Sequence, residues 1–207
     1  MLSTRSLLIT MKIKFIGITG GTGAGKSTLC TALQNKYPDK IGLIQLDDYF
    51  KPQADKPKVG NIISSDHPES LYLNKLADDL LQFSQGKSVI INTKNERLNP
   101  EFEKTKIRIP IEFKPKPIML VEGFLVLHDE RVRKLLTTSI WLDVDHKTRW
   151  SRRVHFKNEE YEKKVLIPMH NQYVEPSKKY ADHIIDVSDL TKEQVLEKVD
   201  KIINNLI

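Results

Sequence analysis

The sequence has little of what marks secreted or membrane proteins. Among 207 residues there is one cysteine, Cys30, which excludes an internal disulfide framework and fits a reducing compartment. We expect it to be a buried thiol, because it falls within a predicted helix. No apolar run approaches the roughly 20 residues that a membrane-spanning helix needs. The leader, residues 1–10, is too short for a secretion signal, and Met11 could equally be the natural start. These absences favour a cytoplasmic protein without a membrane partner.

Neither basic nor acidic residues are concentrated in one part of the chain. The chain has 33 basic and 27 acidic residues, a net charge of +6, and shows only modest basic groupings at residues 149–153 and 163–164. Nucleic-acid-binding proteins usually carry a focused basic stripe, so we expect no nucleic-acid partner. A diffuse basic excess suits phosphorylated small ligands equally well. The length fits a single domain, residues 1–207, and an apolar content of 39% supports a sizeable core.

The order of the predicted elements indicates an α/β fold. Short apolar runs rich in β-branched residues alternate with helical patterns, which predicts a parallel sheet flanked by helices. The predicted strands are residues 12–19, 41–46, 118–121, 140–144 and 183–187. The predicted helices are residues 27–36, 70–85, 129–136, one from about 146, 164–173 apart from Pro168, and 191–206.

Two insertions and one helix have more specific predictions. Residues 88–92 and 105–113 can pair as a small β-hairpin, giving a hairpin insertion over about 88–113. The charged stretch 158–164 has no core face, which predicts the tip of a short helical lid over about 152–167. The helix over 70–85 should be capped by Ser70 and should bury one face. The residues expected on that face are Leu73, Leu76, Leu80 and Leu81.

The strongest motif is a glycine-rich loop between the first strand and the first helix. It matches G-x-x-x-x-G-K-[ST] in full and has the strand and helix flanks that this phosphate-binding loop, the P-loop, requires. In such a loop backbone N–H groups surround phosphate oxygens, Lys26 reaches the β- and γ-phosphates, and the Ser27 hydroxyl can ligate Mg²⁺. The predicted ATP-binding residues are Gly20, Gly21, Thr22, Gly23, Ala24, Gly25, Lys26, Ser27 and Thr28.

The P-loop alone does not choose among the proteins that use it. GTPases share it, but no Asn-Lys-x-Asp segment for guanine recognition is present. Motor ATPases usually need a longer chain. A short chain with acidic residues at the end of the second strand favours a kinase of small molecules.

Asp47 and Asp48 follow that second strand, at the edge where parallel sheets bind their ligands. A carboxylate there can accept the proton of an attacking hydroxyl. Whichever of the two aspartates is not catalytic could be only a turn residue or a helix cap. We favour Asp47 as the catalytic residue.

Two further carboxylates are candidates for binding. Glu122 follows the strand 118–121, and an acid at such a strand end typically faces the metal near a P-loop. The alternative is a solvated acid at the end of a strand. Asp66, in Asp66-His67-Pro68, could accept two hydroxyls of a ribose through its two oxygens. Alone it would mean little, because aspartates are common in loops.

The helix predicted from about residue 146 carries Arg149, Arg152 and Arg153, and at least one of these arginines should face the phosphates. For Arg149 we prefer an exposed basic face. His128, His146 and His155 lack metal-ligand spacing and are expected to be surface or packing residues. Trp141 and Trp150 are expected in the core.

Together these motifs resemble the uridine kinase family, within the group that includes phosphoribulokinase and pantothenate kinase. They keep the family's order from about residue 15 to residue 185. The matching stretches are residues 17–28, Asp47-Asp48-Tyr49-Phe50, Asp66-His67-Pro68, Val121-Glu122-Gly123-Phe124, residues 143–145 with Thr148-Arg149, Ser151-Arg152-Arg153, and Pro176-Ser177-Lys178-Lys179-Tyr180-Ala181-Asp182.

The resemblance implies a P-loop NTPase-type fold and transfer from ATP, with Mg²⁺, to the 5′-hydroxyl of a ribonucleoside. It implies Asp47 as the base, Asp66 as the residue that binds the ribose diol, Glu122 with Ser27 at the metal, and Arg153 at the phosphates and substrate. It also implies a cytoplasmic salvage enzyme that can form a homo-oligomer through its hairpin.

The chain departs from that family at two places. Residues 92–100 lack the aromatic and the histidine by which the family's hairpin recognises a pyrimidine, and the lid at residues 158–164 is shorter. Nicotinamide riboside kinases share Asp47-Asp48-Tyr49-Phe50-Lys51-Pro52 and are the second candidate. From other classes we consider an ATP-binding P-loop protein without catalysis, and an RNA-linked kinase that the lack of an aromatic-basic groove disfavours.

Overall fold

A computed structural model of the chain describes residues 12–153 and 158–206. The leader, Met11 and the part of the lid that contains His155 lie outside these residues. Two pairs of strands flank a larger sheet. The described residues form nine strands, which in chain order are β1 Lys14–Thr19, β2 Ile41–Gln45, β3 Lys58–Val59, β4 Ile62–Ile63, β5 Val89–Thr93, β6 Ile109–Phe113, β7 Ile118–Glu122, β8 Thr138–Asp143 and β9 His183–Asp186.

Five of the strands form one parallel sheet in the order β2-β7-β1-β8-β9, so the predicted fold class is confirmed. All five point the same way, which brings their carboxyl ends to one edge. Strand β1 lies in the middle, between β7 and β8, and the P-loop leaves from its end. Ligands of parallel sheets bind at this edge, where neighbouring crossovers diverge.

Helices cover both faces of the sheet because successive strand residues, which point to opposite faces, are apolar and buried. In β1, Phe15 belongs to the core on one face, while Ile16 and Ile18 belong to the core on the other. The helices are α1 Lys26–Lys36, α2 Leu73–Ser84, α3 Phe102–Thr105, α4 Glu130–Leu135, α5 His146–Ser151, α6 Glu159–Tyr161, α7 Ile167–Met169 and α8 Lys192–Asn204. Helices α1 and α8 cover one face, and α2 and α4 the other. Within the described residues no helix is long and apolar enough to cross a bilayer.

Helix α2 differs from its prediction at two places. Leu81 is 48% exposed, and the buried face continues through Ala77 and Phe83 instead, which keeps the three- and four-residue spacing from Leu73. The predicted cap at Ser70 is also wrong. Ser70 is buried and its hydroxyl donates to the carbonyl of Ser64, so it closes the preceding loop and the helix begins at Leu73.

The predicted hairpin is confirmed as the antiparallel pair β5–β6. The predicted helix over 164–173 is confirmed within a continuous run of helical segments from residue 159 to residue 180, two of them π-helical. The expected interruption at Pro168 is wrong, because Pro168 lies in the first turn of α7, where a missing backbone N–H costs little. The expectation that residues 158–164 have no core face is confirmed, since none of them belongs to a hydrophobic core. Glu162 is nevertheless buried, and its Oε1 lies 2.6 Å from Nε2 of His146 on α5.

Candidate functional site

The P-loop connects the end of β1 to the first turn of α1. Gly23 and Gly25 have φ angles of 90° and 96°, a left-handed conformation that residues with a Cβ rarely adopt. The glycines of the motif therefore fix the shape of the loop. Its concave side lies at the amino terminus of an 11-residue helix, whose unpaired N–H groups and dipole favour an anion.

Lys26 lies in this site as a buried cation. It is 7% exposed, and its Nζ donates to the carbonyl oxygen of Gly21 at 3.1 Å. Burial lowers the pKa of Lys26, against the attraction of Glu122 and Asp47, which raises it. The three side chains therefore share one electrostatic environment. A phosphate next to Lys26 would restore the favourable interactions that burial removes.

Glu122 is the last residue of β7 and pairs with Ile18 of β1, so it lies beside the end of β1, where the P-loop begins. It is 6% exposed, and burial raises its pKa while Lys26 lowers it. Ser27 is exposed at the start of α1. Among the described residues no group of three or more His, Cys, Asp or Glu could hold a metal. Ser27 and Glu122 nevertheless supply hard oxygen ligands of the kind that Mg²⁺ prefers when it also binds phosphates and water.

Asp47 and Asp48 lie together in a short 3₁₀ turn, Leu46–Tyr49, but face different partners. The oxygens of Asp48 accept from the Thr93 hydroxyl at 2.7 Å and from the Lys94 backbone N–H at 2.9 Å. Asp48 therefore ties the hairpin to the sheet. The Asp47 side chain remains 40% exposed toward the site, with the Lys94 Nζ at 2.7 Å from its Oδ2.

The hairpin contributes residues that the sequence analysis did not identify. Besides Lys94, Arg108 donates from Nη2 to the backbone carbonyl of Asp47 at 2.8 Å. Neither residue belongs to a recognisable motif, and both reach Asp47 only because the hairpin docks against the end of β2. The one available signal was the position of Lys94, immediately after a predicted hairpin strand.

Asp66 lies on the loop before α2, facing the same space. Its Oδ2 accepts from the Tyr161 hydroxyl at 2.6 Å, and the Tyr161 oxygen accepts from the backbone N–H of Ser65 at 2.9 Å. Burial raises the pKa of Asp66, while the Tyr161 hydrogen bond and the charge of Arg153 lower it. The structure thus brings Arg153, which lies 5.3 Å from the Trp150 ring, into the electrostatic environment of Asp66.

The prediction of an exposed basic face for Arg149 is wrong. Arg149 is 5% exposed, and its Nε donates to the carbonyl of Val144 at 3.2 Å. A Cβ at Gly21 would collide with its guanidinium, so the arginine packs directly against the P-loop. Helical spacing could not distinguish this arginine from Arg152, which is exposed. Arg149 is buried because it packs closely against Gly21, and helical spacing does not encode this contact.

The neighbouring predictions have mixed outcomes. Trp141 is buried, as expected. Trp150 is only half-buried and stacks on His146 with 6.4 Å between ring centres, so its assignment to the core is wrong. The predicted burial of Cys30 is confirmed.

A cavity of about 360 Å³ next to Arg149 lies between α5 and the helical segment over residues 167–175. His170 is one of its lining residues, and its Nε2 lies 3.2 Å from Nη2 of Arg149. Burial, and after it the charge of Arg149, lowers the pKa of His170 to about 4. His170 is therefore neutral at pH 7 and accepts from Arg149. This contact connects the segment His170–Val174 to the arginine that packs against the P-loop.

The Tyr161–Asp66 contact has a measurable consequence for stability. Tyr161→Phe should reduce the free energy of unfolding at pH 7 by about 1–3 kcal/mol, because the half-buried carboxylate of Asp66 loses a hydrogen-bond donor. Removing the donor also raises the pKa of Asp66 further, so the difference from the unmodified chain should shrink on acidification, as Asp66 becomes protonated in both proteins. Urea unfolding at pH 7 and pH 4.5 measures this, with the exposed Tyr72→Phe as control. A loss independent of pH would contradict the assignment.

Comparisons with known proteins identify the family of the chain. The profile of the Phosphoribulokinase / Uridine kinase family matches residues 15–193. A uridine kinase of Clostridium novyi (strain NT) is 34% identical over 204 residues, which cover 93% of this chain and 96% of that protein. A uridine kinase of Clostridium botulinum (strain Kyoto / Type A2) is 38% identical over 183 residues, which cover 82% of this chain and 86% of that protein.

A solved structure shares the fold at low sequence identity. The structure of a possible uridine kinase from Bacillus stearothermophilus superposes with a TM-score of 0.59 at 14% identity, covering 84% of this chain and 89% of that chain. The family profile, the relatives over most of their length and the parallel sheet with its P-loop support one conclusion. The chain belongs to the phosphoribulokinase / uridine kinase family and is a kinase.

Proposed function

We propose that this protein transfers the γ-phosphate of ATP to the 5′-hydroxyl of a ribonucleoside, with uridine and cytidine as the first candidates. The observation that carries the proposal is the arrangement of two carboxylates around one space. The charge of Asp47 raises the pKa of Lys26. It also raises the pKa of Asp66, which lies on the loop that faces Asp47. The names of the relatives support a nucleoside acceptor.

The proposed roles follow from the position of each side chain. The P-loop, residues 20–28, and Lys26 bind the phosphates of ATP, and Arg153 together with Arg149 offsets charge at the phosphates and the substrate. Asp47 accepts the proton of the 5′-hydroxyl and orients its oxygen for attack. Asp66 binds the 2′- and 3′-hydroxyls. Ser27 and Glu122 would hold Mg²⁺, which neutralises phosphate charge when bound.

Asp47 suits the base role better than its neighbour. Both oxygens of Asp48 are engaged by the hairpin, so a substrate hydroxyl would have to displace a structural hydrogen bond to use it. The side chain of Asp47 is partly exposed, and its charge acts on the buried ammonium group of Lys26. We further propose that the protein is cytoplasmic, functions as one domain over residues 1–207, and forms homo-oligomers through its hairpin.

Nicotinamide riboside kinase activity is the second candidate, because residues 92–100 do not supply the side chains that recognise pyrimidines in the uridine kinase family. A binding protein without catalysis is disfavoured by Asp47 and Asp66, since neither is needed to hold ATP. We rank uridine and cytidine first, nicotinamide riboside second and purine nucleosides third.

The acceptor assignment predicts a strong preference for ribonucleosides over 2′-deoxyribonucleosides. Losing one hydroxyl leaves part of a buried acceptor unpaired, which costs about 1–3 kcal/mol. The corresponding difference in kcat/KM is roughly ten- to hundredfold. Initial rates with uridine, deoxyuridine, cytidine, nicotinamide riboside and adenosine at equal concentration measure it.

The Asp66→Asn variant is the control, because it should lose most of the preference for uridine over deoxyuridine. Equal kcat/KM values for uridine and deoxyuridine in the unmodified enzyme would remove Asp66 from its role. Activity on pantothenate or a sugar phosphate, with none on any nucleoside, would overturn the nucleoside proposal.

A further inference from the structure

The lysine that follows the hairpin strand β5 contacts the proposed base directly. Nζ of Lys94 donates to Oδ2 of Asp47 at 2.7 Å, and both side chains are partly buried, with exposed fractions of 32% and 40%. A hydrogen bond between two charged groups at this distance is stronger than one between neutral groups. Lys94 therefore restricts the orientation of the Asp47 carboxylate.

Other groups dock the hairpin onto the sheet. Asp48 accepts from the Thr93 hydroxyl at 2.7 Å and from the backbone N–H of Lys94 at 2.9 Å. Nδ2 of Asn95 donates to Oε1 of Gln45 at 2.6 Å. These three contacts place the hairpin backbone against the end of β2 and the turn that follows it. Since none of them uses the Lys94 side chain, its ammonium group is not needed for docking and acts on Asp47 instead.

The contact between Lys94 and Asp47 matters more for the reaction than for stability. Partly exposed ion pairs contribute little to the free energy of unfolding. A catalytic group that is displaced by about 1 Å, in contrast, can lose roughly a hundredfold in rate. The backbone of Asp47 is already fixed, because Nη2 of Arg108 donates to its carbonyl oxygen at 2.8 Å. The remaining freedom of Asp47 is the rotation of its side chain, which Lys94 restricts.

We propose that Lys94 is a positioning residue for phosphoryl transfer, which holds Oδ2 of Asp47 so that the other carboxylate oxygen is presented to the acceptor hydroxyl. The inference rests on the proposed function, in which Asp47 accepts the proton of that hydroxyl. Lys94 then acts on the reaction only through Asp47, and its positive charge is what the role requires. Asp48 anchors the hairpin, whereas Lys94 connects the hairpin to the chemistry.

A double-mutant cycle tests whether Lys94 acts through Asp47. The four proteins are the unmodified enzyme, Lys94→Met, Asp47→Asn and the variant with both substitutions, assayed with ATP and saturating uridine, or whichever nucleoside is used fastest. Lys94→Met alone should lower kcat roughly ten- to hundredfold at an unchanged KM for ATP, because the P-loop is untouched. In the Asp47→Asn background the same substitution should change kcat by less than about twofold, since the carboxylate that Lys94 holds is gone.

Further variants separate the charge of Lys94 from its effect on folding. Lys94→Arg keeps the positive charge and should retain more of kcat than Lys94→Met. Lys104→Met removes a lysine that is 79% exposed in the same hairpin insertion and should leave kcat unchanged. Lys94→Gln keeps a polar side chain without the charge, and it replaces Lys94→Met in the cycle if thermal unfolding shows that the methionine variant does not fold.

The cycle distinguishes failure of this role from failure of the proposed function. An equal loss of kcat in both backgrounds would overturn the role of Lys94, because a general effect on folding or docking does not depend on Asp47. An unchanged or higher kcat in Lys94→Met would also overturn it and leave the kinase function intact. No turnover of any nucleoside by the unmodified enzyme would overturn the proposed function and, with it, the role of Lys94.

Discussion

Lys26→Ala should lose nearly all phosphoryl transfer while the protein stays folded. A fixed positive charge that meets charge developing in the transition state contributes roughly a hundred- to a thousandfold to kcat, and Lys26 is the buried cation of the P-loop. The variant should not be less stable without nucleotide. Burial lowers the pKa of Lys26, so the charged lysine opposes folding more as the pH falls, and alanine removes this opposition.

The measurement is kcat for ATP-dependent phosphorylation together with a thermal unfolding curve of each protein. Lys40→Ala is the matched control, because Lys40 is exposed and lies in the turn between α1 and β2, beyond the far end of α1. Unchanged turnover in folded Lys26→Ala would contradict the assignment of Lys26 to the phosphates of ATP. Loss of both turnover and folding would show that the lysine is needed for structure.

Asp47→Asn should lower kcat by roughly 10²–10⁴, the usual effect of removing a positioned general base. The affinity for ATP should change little, because the P-loop is untouched. The asparagine keeps the size of the side chain, so the loss reports the proton acceptor itself.

Asp48→Asn is the informative comparison for Asp47→Asn. Asp48 connects the 3₁₀ turn to Thr93 and Lys94, so its substitution should mainly reduce the stability of the hairpin contact. A larger loss of kcat in folded Asp48→Asn than in Asp47→Asn would move the base to Asp48. The comparison should be made at saturating nucleoside, since both substitutions lie near the acceptor.

The sequence was sufficient for the features that depend on local pattern. The P-loop, the strand–helix alternation and the acids at strand ends follow from spacing and residue type, because a parallel sheet brings its carboxyl ends to one edge. The sequence could not reveal which way a side chain turns from a helix. Arg149 lies on α5 and Arg152 follows its last residue, yet only Arg149 is buried against Gly21.

Contacts between distant segments were also beyond local pattern. Lys94 meets Asp47 across 47 positions, and Tyr161 meets Asp66 across 95. Both depend on how the hairpin and the lid dock onto the sheet, which periodicity does not encode. Leu81 shows the same limit on a smaller scale, since a shift of one residue moves a leucine out of the core face.

The most direct test of the central claim is identification of the product formed from ATP and uridine. The account predicts uridine 5′-monophosphate, formed in equal amount with ADP and detected by ³¹P NMR or mass spectrometry. Asp47→Asn should form it far more slowly at unchanged ATP affinity. ADP formation that does not depend on any nucleoside, or a phosphate placed on another hydroxyl, would contradict the account.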